Sequence, residues 1–179
     1  MLRGVHKIII LSLTAALVCH AGCMFQPLIN AERYHNEQYG FSIRLPSDWE
    51  QAPDVGGTAI LARAPYDIET DLFQENVNVT VGAAPGNLNL DIDFHNIVSG
   101  ISRTFLNYQQ RATGTTTIAA KKAYWVEYTY QYGKLRLRTI FYLFATDEYM
   151  FMITCTGEED HFSKYKRTFQ SIAKSFRFE

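Results

Sequence analysis

Two neighbouring segments, "TIFYLFA" from Thr139 to Ala145 and "YMFMI" from Tyr149 to Ile153, are apolar at nearly every position. Successive side chains of a β-strand point to opposite faces, so a strand that is apolar throughout is buried on both of them. A two-layer fold with one wet sheet face does not accommodate such a pair. The chain needs a sheet with cover on both sides, and the rest of the sequence has to supply that cover.

The other strands are half-buried in pattern. "GFSIRLP" alternates Phe41, Ile43 and Leu45 with Ser42 and Arg44, and Pro46 closes it because proline cannot donate to the ladder. "TAILARA" and "NVNVTVG" repeat the alternation, the second with Val77, Val79 and Val81 on one face and Asn76 and Asn78 on the other. The period then changes. Phe94, Ile97, Val98, Ile101 and Phe105 fall at helical spacing and predict a helix over Asp91 to Phe105, with Asp91 and Asp93 at its positive end. Four more strands are predicted in "GTTTIAA", "AYWVEYTYQY", "KLRLRTIFYLFA" and "YMFMITCT", with turns at Gly133 and Lys134 and at Thr146, Asp147 and Glu148. Behind "GEED", whose acids suit a helix start, Phe162, Tyr165, Phe169, Ile172 and Phe176 predict a second helix. One helix covers one face. Two give an α+β domain, an antiparallel sheet covered by helices on both faces in an α-β-α sandwich.

The N-terminus has the layout of an export signal. Arg3 and Lys7 carry positive charge with no acid near them, and Ile8 to Val18 is an almost unbroken apolar run, well short of the roughly 20 residues a spanning helix needs. Cleavage after Ala21 uses Cys19 and Ala21 as small residues; cleavage after Gly22 makes Cys23 the first residue. The second resembles the lipobox of bacterial lipoproteins in Ala21, Gly22 and Cys23, although His20 stands where leucine is usual. It implies diacylglyceryl on Cys23, and stable membrane attachment takes more than one acyl chain. The division expected is residues 1–22 as signal peptide, 23–33 as lipidated N-terminus and tether, and 34–179 as one domain. Removing Arg3 and Lys7 from a chain of 17 basic and 18 acidic residues leaves it more acidic, so no global basic excess points to nucleic acid. Of the three cysteines, Cys19 leaves with the signal. A lipidated Cys23 leaves Cys155 without a partner in the chain, a buried small hydrophobe in "YMFMITCT"; a free Cys23 leaves a disulfide to Cys155 open.

"YGFSIRLPSDWE" resembles the opening strand of the PsbP-like family, which takes in photosystem-associated and DcrB-related bacterial lipoproteins. "QENVNVTV", "KKAYWVEYTY" and a terminal "FQSIAKSFRF" match it in order, so the resemblance spans about Tyr39 to Phe178. It implies the α-β-α sandwich and a binding or assembly role, with no catalytic residues to carry over.

The residues themselves offer little chemistry. HExxH, G-x-S-x-G, the P-loop and zinc-spaced cysteine pairs are all missing from the sequence. Asp91, Asp93 and His95 in "DIDFH" would share a strand face and hold a metal, but splay apart on the predicted helix, where the acids favour its N-terminus. Glu158 to His161 read the same way. His35 stands alone beside the tether, and the Asn78 sequon falls inside a predicted strand. No catalytic residue, metal or cofactor is expected.

Two features are candidates for a binding surface. Tyr124, Tyr128, Tyr130 and Tyr132 share one strand face, which suits either a core edge or an interface. Lys134, Arg136 and Arg138 alternate with leucines on the next strand and form a positive stripe, balanced by Glu127 if it lies across the sheet. The expectation is a non-enzymatic, membrane-tethered binding or assembly module of the bacterial cell envelope, held by lipid on Cys23 and meeting an envelope protein partner. A small-molecule carrier with an aromatic-lined pocket is the alternative, then a hydrolase; a soluble periplasmic or secreted protein is the alternative location.

Overall fold

In the computed structural model the described residues are Leu28, 30–67 and 72–179; Cys19, Cys23 and the signal segment lie outside them. Along the chain follow β1 (Ala31–Asn36), β2 (Phe41–Pro46), β3 (Glu50–Pro53), β4 (Ile60–Arg63), β5 (Asn76–Ala83), α1 (Leu90–Thr104), β6 (Leu106–Ile118), β7 (Lys121–Tyr132), β8 (Leu135–Ala145), β9 (Tyr149–Glu158), α2 (Phe162–Lys174) and β10 (Arg177–Phe178). Seven strands form an antiparallel sheet in the order β3-β4-β5-β9-β8-β7-β6, and β1-β2-β10 form a small second sheet.

The doubly apolar strands, β8 and β9, sit at the interior of the large sheet, as their composition requires. Alternate residues of β8 enter two separate cores. Leu137, Phe141 and Leu143 join Val126 and Tyr128 of β7 and Phe94 of α1. Ile140, Tyr142 and Phe144 join Phe162, Phe169 and Ile172 of α2, together with Phe41, Ile43 and Leu45 of β2. Cover in the second core is therefore shared between a helix and the small sheet, where the sequence pattern gave a helix alone. Phe41 stacks on Phe176 with ring centroids 5.0 Å apart, Phe144 meets Phe176 edge-on at 4.9 Å, and Phe151 stacks on Phe144 at 5.6 Å. These rings are fully buried, each contributing about 1.5–3 kcal/mol by transfer from water. Trp49 ends the turn after β2 by packing on Tyr165 and Phe169 of α2.

Helix α1 begins one residue before the expected start, at a reciprocal cap. Asn89 accepts from the Ile92 amide at 3.2 Å, and Asp93 accepts from the Asn89 amide at 3.1 Å. Helix α2 starts differently from expectation: no acid lies in its first turn. Glu158 completes β9, and Glu159 pairs with Arg111 and Arg136, so "GEED" ends a strand and serves a surface ion pair. Gly133 makes the two-residue β7–β8 turn at φ +59°, the first central position that favours glycine in such a hairpin.

Three differences concern polar strands. β1 takes in Ala31 to Arg33, assigned by sequence to the tether, and also His35, which pairs with Glu179 at 2.9 Å. β6 runs for 13 residues directly from α1, where only its last part, "GTTTIAA", carried a strand signal. β3 and β10 are too short to show a period.

Glu75, just before β5, is 3% exposed. Its Cγ lies where a side chain on Gly157 of β9 would stand, 2.8 Å from the ideal Cβ position. Burial raises the carboxyl's pKa above its ordinary 4.5, with backbone hydrogen bonds acting in the other direction. A carboxyl with a raised folded pKa costs stability as pH rises from 4.5 through the folded value, because the unfolded chain ionises first. Glu75→Gln should therefore match the parent in acid and become progressively more stable than it above pH 4.5. Paired thermal melts across that range check the sign; a constant difference refutes the ionisation account.

Candidate binding face

The sequence candidates for chemistry are each occupied by structural work. His95 Nδ1 lies 2.7 Å from the Asp91 carbonyl oxygen, while Asp93 caps the helix. Among the described residues no group of three His, Cys, Asp or Glu side chains is placed to hold a metal ion. Cys155 is a free thiol at zero exposure beneath α2, and burial pushes its pKa up, away from thiolate character.

The tyrosine stripe divides. Tyr124, Tyr128 and Tyr130 lie in the core with α1, where Phe105 meets Tyr130 at 4.2 Å and Tyr108 meets Tyr128 at 5.2 Å. Burial raises the pKa of the Tyr128 and Tyr130 hydroxyls. Tyr128 and Tyr130 are therefore not surface residues; Tyr132, 66% exposed at the end of β7, is.

The basic stripe also divides. Lys134 is exposed in the hairpin turn, outside the strand. Arg136 and Arg138 do share a face, the one that carries Ile140 and Tyr142, because period two is kept along β8. Arg136 donates to Glu159 and, at 3.3 Å, to Gln109; Arg111 of β6 donates to the other Glu159 oxygen at 2.8 Å. Arg138 Nε donates to Glu127 at 2.6 Å, and Lys166 of α2 donates to both Glu127 oxygens at 3.1 and 2.8 Å. Glu127 does balance the stripe across the sheet, and it is 3% exposed. Two glutamates nonetheless face four cations, Arg111, Arg136, Arg138 and Lys166, so this face stays net positive.

Beside Glu127 lies a groove of about 280 Å³ that sequence reasoning missed. Its floor is Trp125 and Glu127 of β7 with Ile140 and Tyr142 of β8, which the register sets side by side as Trp125 opposite Tyr142 and Glu127 opposite Ile140. One wall is α2, through Lys166, Gln170 and Lys174 at four-residue spacing; the other is Thr115 and Thr116 of β6. In sequence those three α2 residues look like an ordinary solvated helix face. Gly114 lies against the ring: a Cβ there would stand 3.2–3.3 Å from the Trp125 indole, which would have to shift by a few tenths of an ångström.

An antiparallel sheet with two helices, a positive face and a shallow groove defines a small α+β domain. A family model for PsbP-like protein matches residues 20–178, and the chain belongs to that family. Cyanobacterial PsbP from Synechocystis sp. PCC 6803 superposes with a TM-score of 0.63 at 18% identity, covering 84% of this chain and 93% of that one. LpqN of Mycobacterium tuberculosis, involved in cell envelope biogenesis, gives 0.65 at 10% identity over 82% and 89%. The Saccharomyces cerevisiae Ran-binding protein Mog1p gives 0.52 at 11% over 83% and 95%. At these identities the likeness is one of fold. A comparison with curated protein sequences finds no match. No helix among the described residues is long and apolar enough to cross a membrane.

Arg138→Met removes one of the two cations on a buried carboxylate and leaves Lys166 as the other. It should lower unfolding stability by about 1–3 kcal/mol, the cost of an under-satisfied charged group. Denaturant titration checks this; a neutral effect would make the Glu127 centre a surface ion pair in energetic terms.

Proposed function

We propose that this chain is a membrane-tethered, non-catalytic binding or assembly module of the bacterial cell envelope, on a scaffold whose sheet is layered between its two helices. The observation that carries the reading is the joining of "HAGC" behind a short apolar run to a PsbP-like domain whose Asp93, Glu127, Arg138 and Lys166 serve a helix cap and an ion triad. Lipid on Cys23 supplies the anchor, and residues 24–30 a short tether to β1. The end of β8 supplies the partner surface: Lys134 and Arg136, with Tyr132 beside them, meet an acidic envelope protein. Arg138, Tyr128 and Tyr130 support that surface from within.

The anchor is tested by mass spectrometry of the mature N-terminal peptide, which should begin at Cys23 and carry a diacylglyceryl group. Cys23→Ser should block processing or release the protein from membranes; a mature chain with unmodified Cys23 sinks the anchor. The partner surface is tested separately by Lys134→Glu with Arg136→Glu, which leaves the buried Arg138–Glu127 pair intact. Crosslinking to envelope proteins should fall in the double variant, with salt weakening the parent interaction in the same sense. Undiminished crosslinking with unchanged stability reduces the stripe to a solvated face.

The small-ligand reading retains one specific support, the groove beside Glu127.

A further inference from the structure

We propose that the groove between α2 and strands β6 to β8 binds a small organic carboxylate with a flat apolar body. The inference goes beyond tethering and partner docking, and depends on neither.

The body is specified by the floor. Trp125 presents a partly exposed indole, backed by Tyr142 at 5% and Ile140 at 2% exposure, and the volume of about 280 Å³ falls just under that of drug-sized pockets. The space suits a molecule of one or two fused rings. The flat indole packs against β6 at Gly114, where no side chain intervenes.

The charge is specified by the ends. Lys166 and Lys174 are eight residues apart on α2, which sets their attachment points roughly 12 Å apart along the groove. Lys166 is satisfied by both oxygens of Glu127. Lys174 is different: it donates to the Thr116 hydroxyl and, at 2.7 Å, to the Thr117 carbonyl, and no carboxylate among the described residues pairs with it. An ammonium has three protons, and these contacts use two. A half-buried cation with neutral partners pays a desolvation cost that lowers its pKa, and a counter-anion in the groove would offset it. Gln170, exposed one turn from each lysine, offers amide hydrogens to the same anion. One free ammonium proton and one amide fit a carboxylate.

A chain beginning at Leu28 keeps every described strand and helix and both cores, and contains no lipid site, so it separates this proposal from the anchor. The chain has two tryptophans. Trp125 lines the groove, and Trp49, buried in the same core but outside the groove lining, is an internal control. Titration with 1-naphthoate should shift the Trp125 indole N–H resonance saturably and leave Trp49 still. Naphthalenemethanol, which lacks the charge, should bind about tenfold or more weakly, the change expected for one charge-assisted hydrogen bond; inorganic phosphate, which lacks the body, should bind about tenfold or more weakly through lost apolar burial. Lys174→Met should weaken 1-naphthoate by a similar factor. Gln170→Phe, a substitution at an exposed position that fills the opening, should abolish binding without altering the melting temperature. No saturable shift at millimolar 1-naphthoate overturns the proposal. So does equal binding of the neutral or the bodiless probe, or parent-like binding in Gln170→Phe, which keeps the test open should Lys174→Met fail to fold.

Discussion

Everything in this fold follows from a strand that has no wet side. From Leu137 to Phe144 of β8, only Arg138 escapes full burial. A strand of that kind cannot lie at a sheet edge, and it is flanked by β7 and β9. Its odd residues need one core and its even residues another. Phe94 of α1 packs in one core, and Phe162, Phe169 and Ile172 of α2 pack in the other together with β2 of the small sheet. β10 returns after α2 to pair with β2, placing Phe176 among Phe41, Phe144 and Phe151. The C-terminus is thus held by the same rings that close the core.

The exception at Arg138 explains the polar half of the molecule. Period two puts a guanidinium on the face that Ile140 and Tyr142 bury, with Phe162 5.0 Å beneath it. A charge at the margin of an apolar core needs a partner of comparable burial, and Glu127, its neighbour across the β7–β8 ladder, provides one. Glu127 in turn draws Lys166 from α2, so one ion triad fixes the helix to the sheet at the point where hydrophobic contact ends. The groove begins there. Glu127 and Lys166 of the triad line it.

The elements legible in the sequence are those with an apolar pattern: β2, β4, β5, α1, β7 and α2 through a period, β8 and β9 through unbroken apolar runs. The illegible ones have none to show. β6 exposes most of its length as an edge strand, and its bulges between Leu106 and Gln109 and between Gln110 and Ala112 break what alternation remains. β1 is held by pairing with β2 more than by burial, so "AERYHN" looks like tether. The site was harder still. The charge balance at Arg138 could be anticipated because Glu127 is an acid near a stripe in sequence and register; the division of the tyrosines could not, since Tyr128 and Tyr132 differ only in how far α1 reaches along β7. The α2 contribution, Lys166, Gln170 and Lys174, carries no signal at all until the helix is docked.

Edge strand β6 brings these threads together. A long, uncharged edge such as Ala112 to Ile118 ordinarily invites pairing with another chain, and the opposite edge, β3, is kept short and ends in Pro53. On β6 the protection comes from across the groove: Lys174 reaches from α2 to the Thr117 carbonyl and the Thr116 hydroxyl. The side chain that shields the edge is also the one cation lining the groove without a carboxylate partner among the described residues. The ammonium proton that these two contacts leave over is the one the proposed carboxylate would take. One side chain would then serve both the edge and the groove.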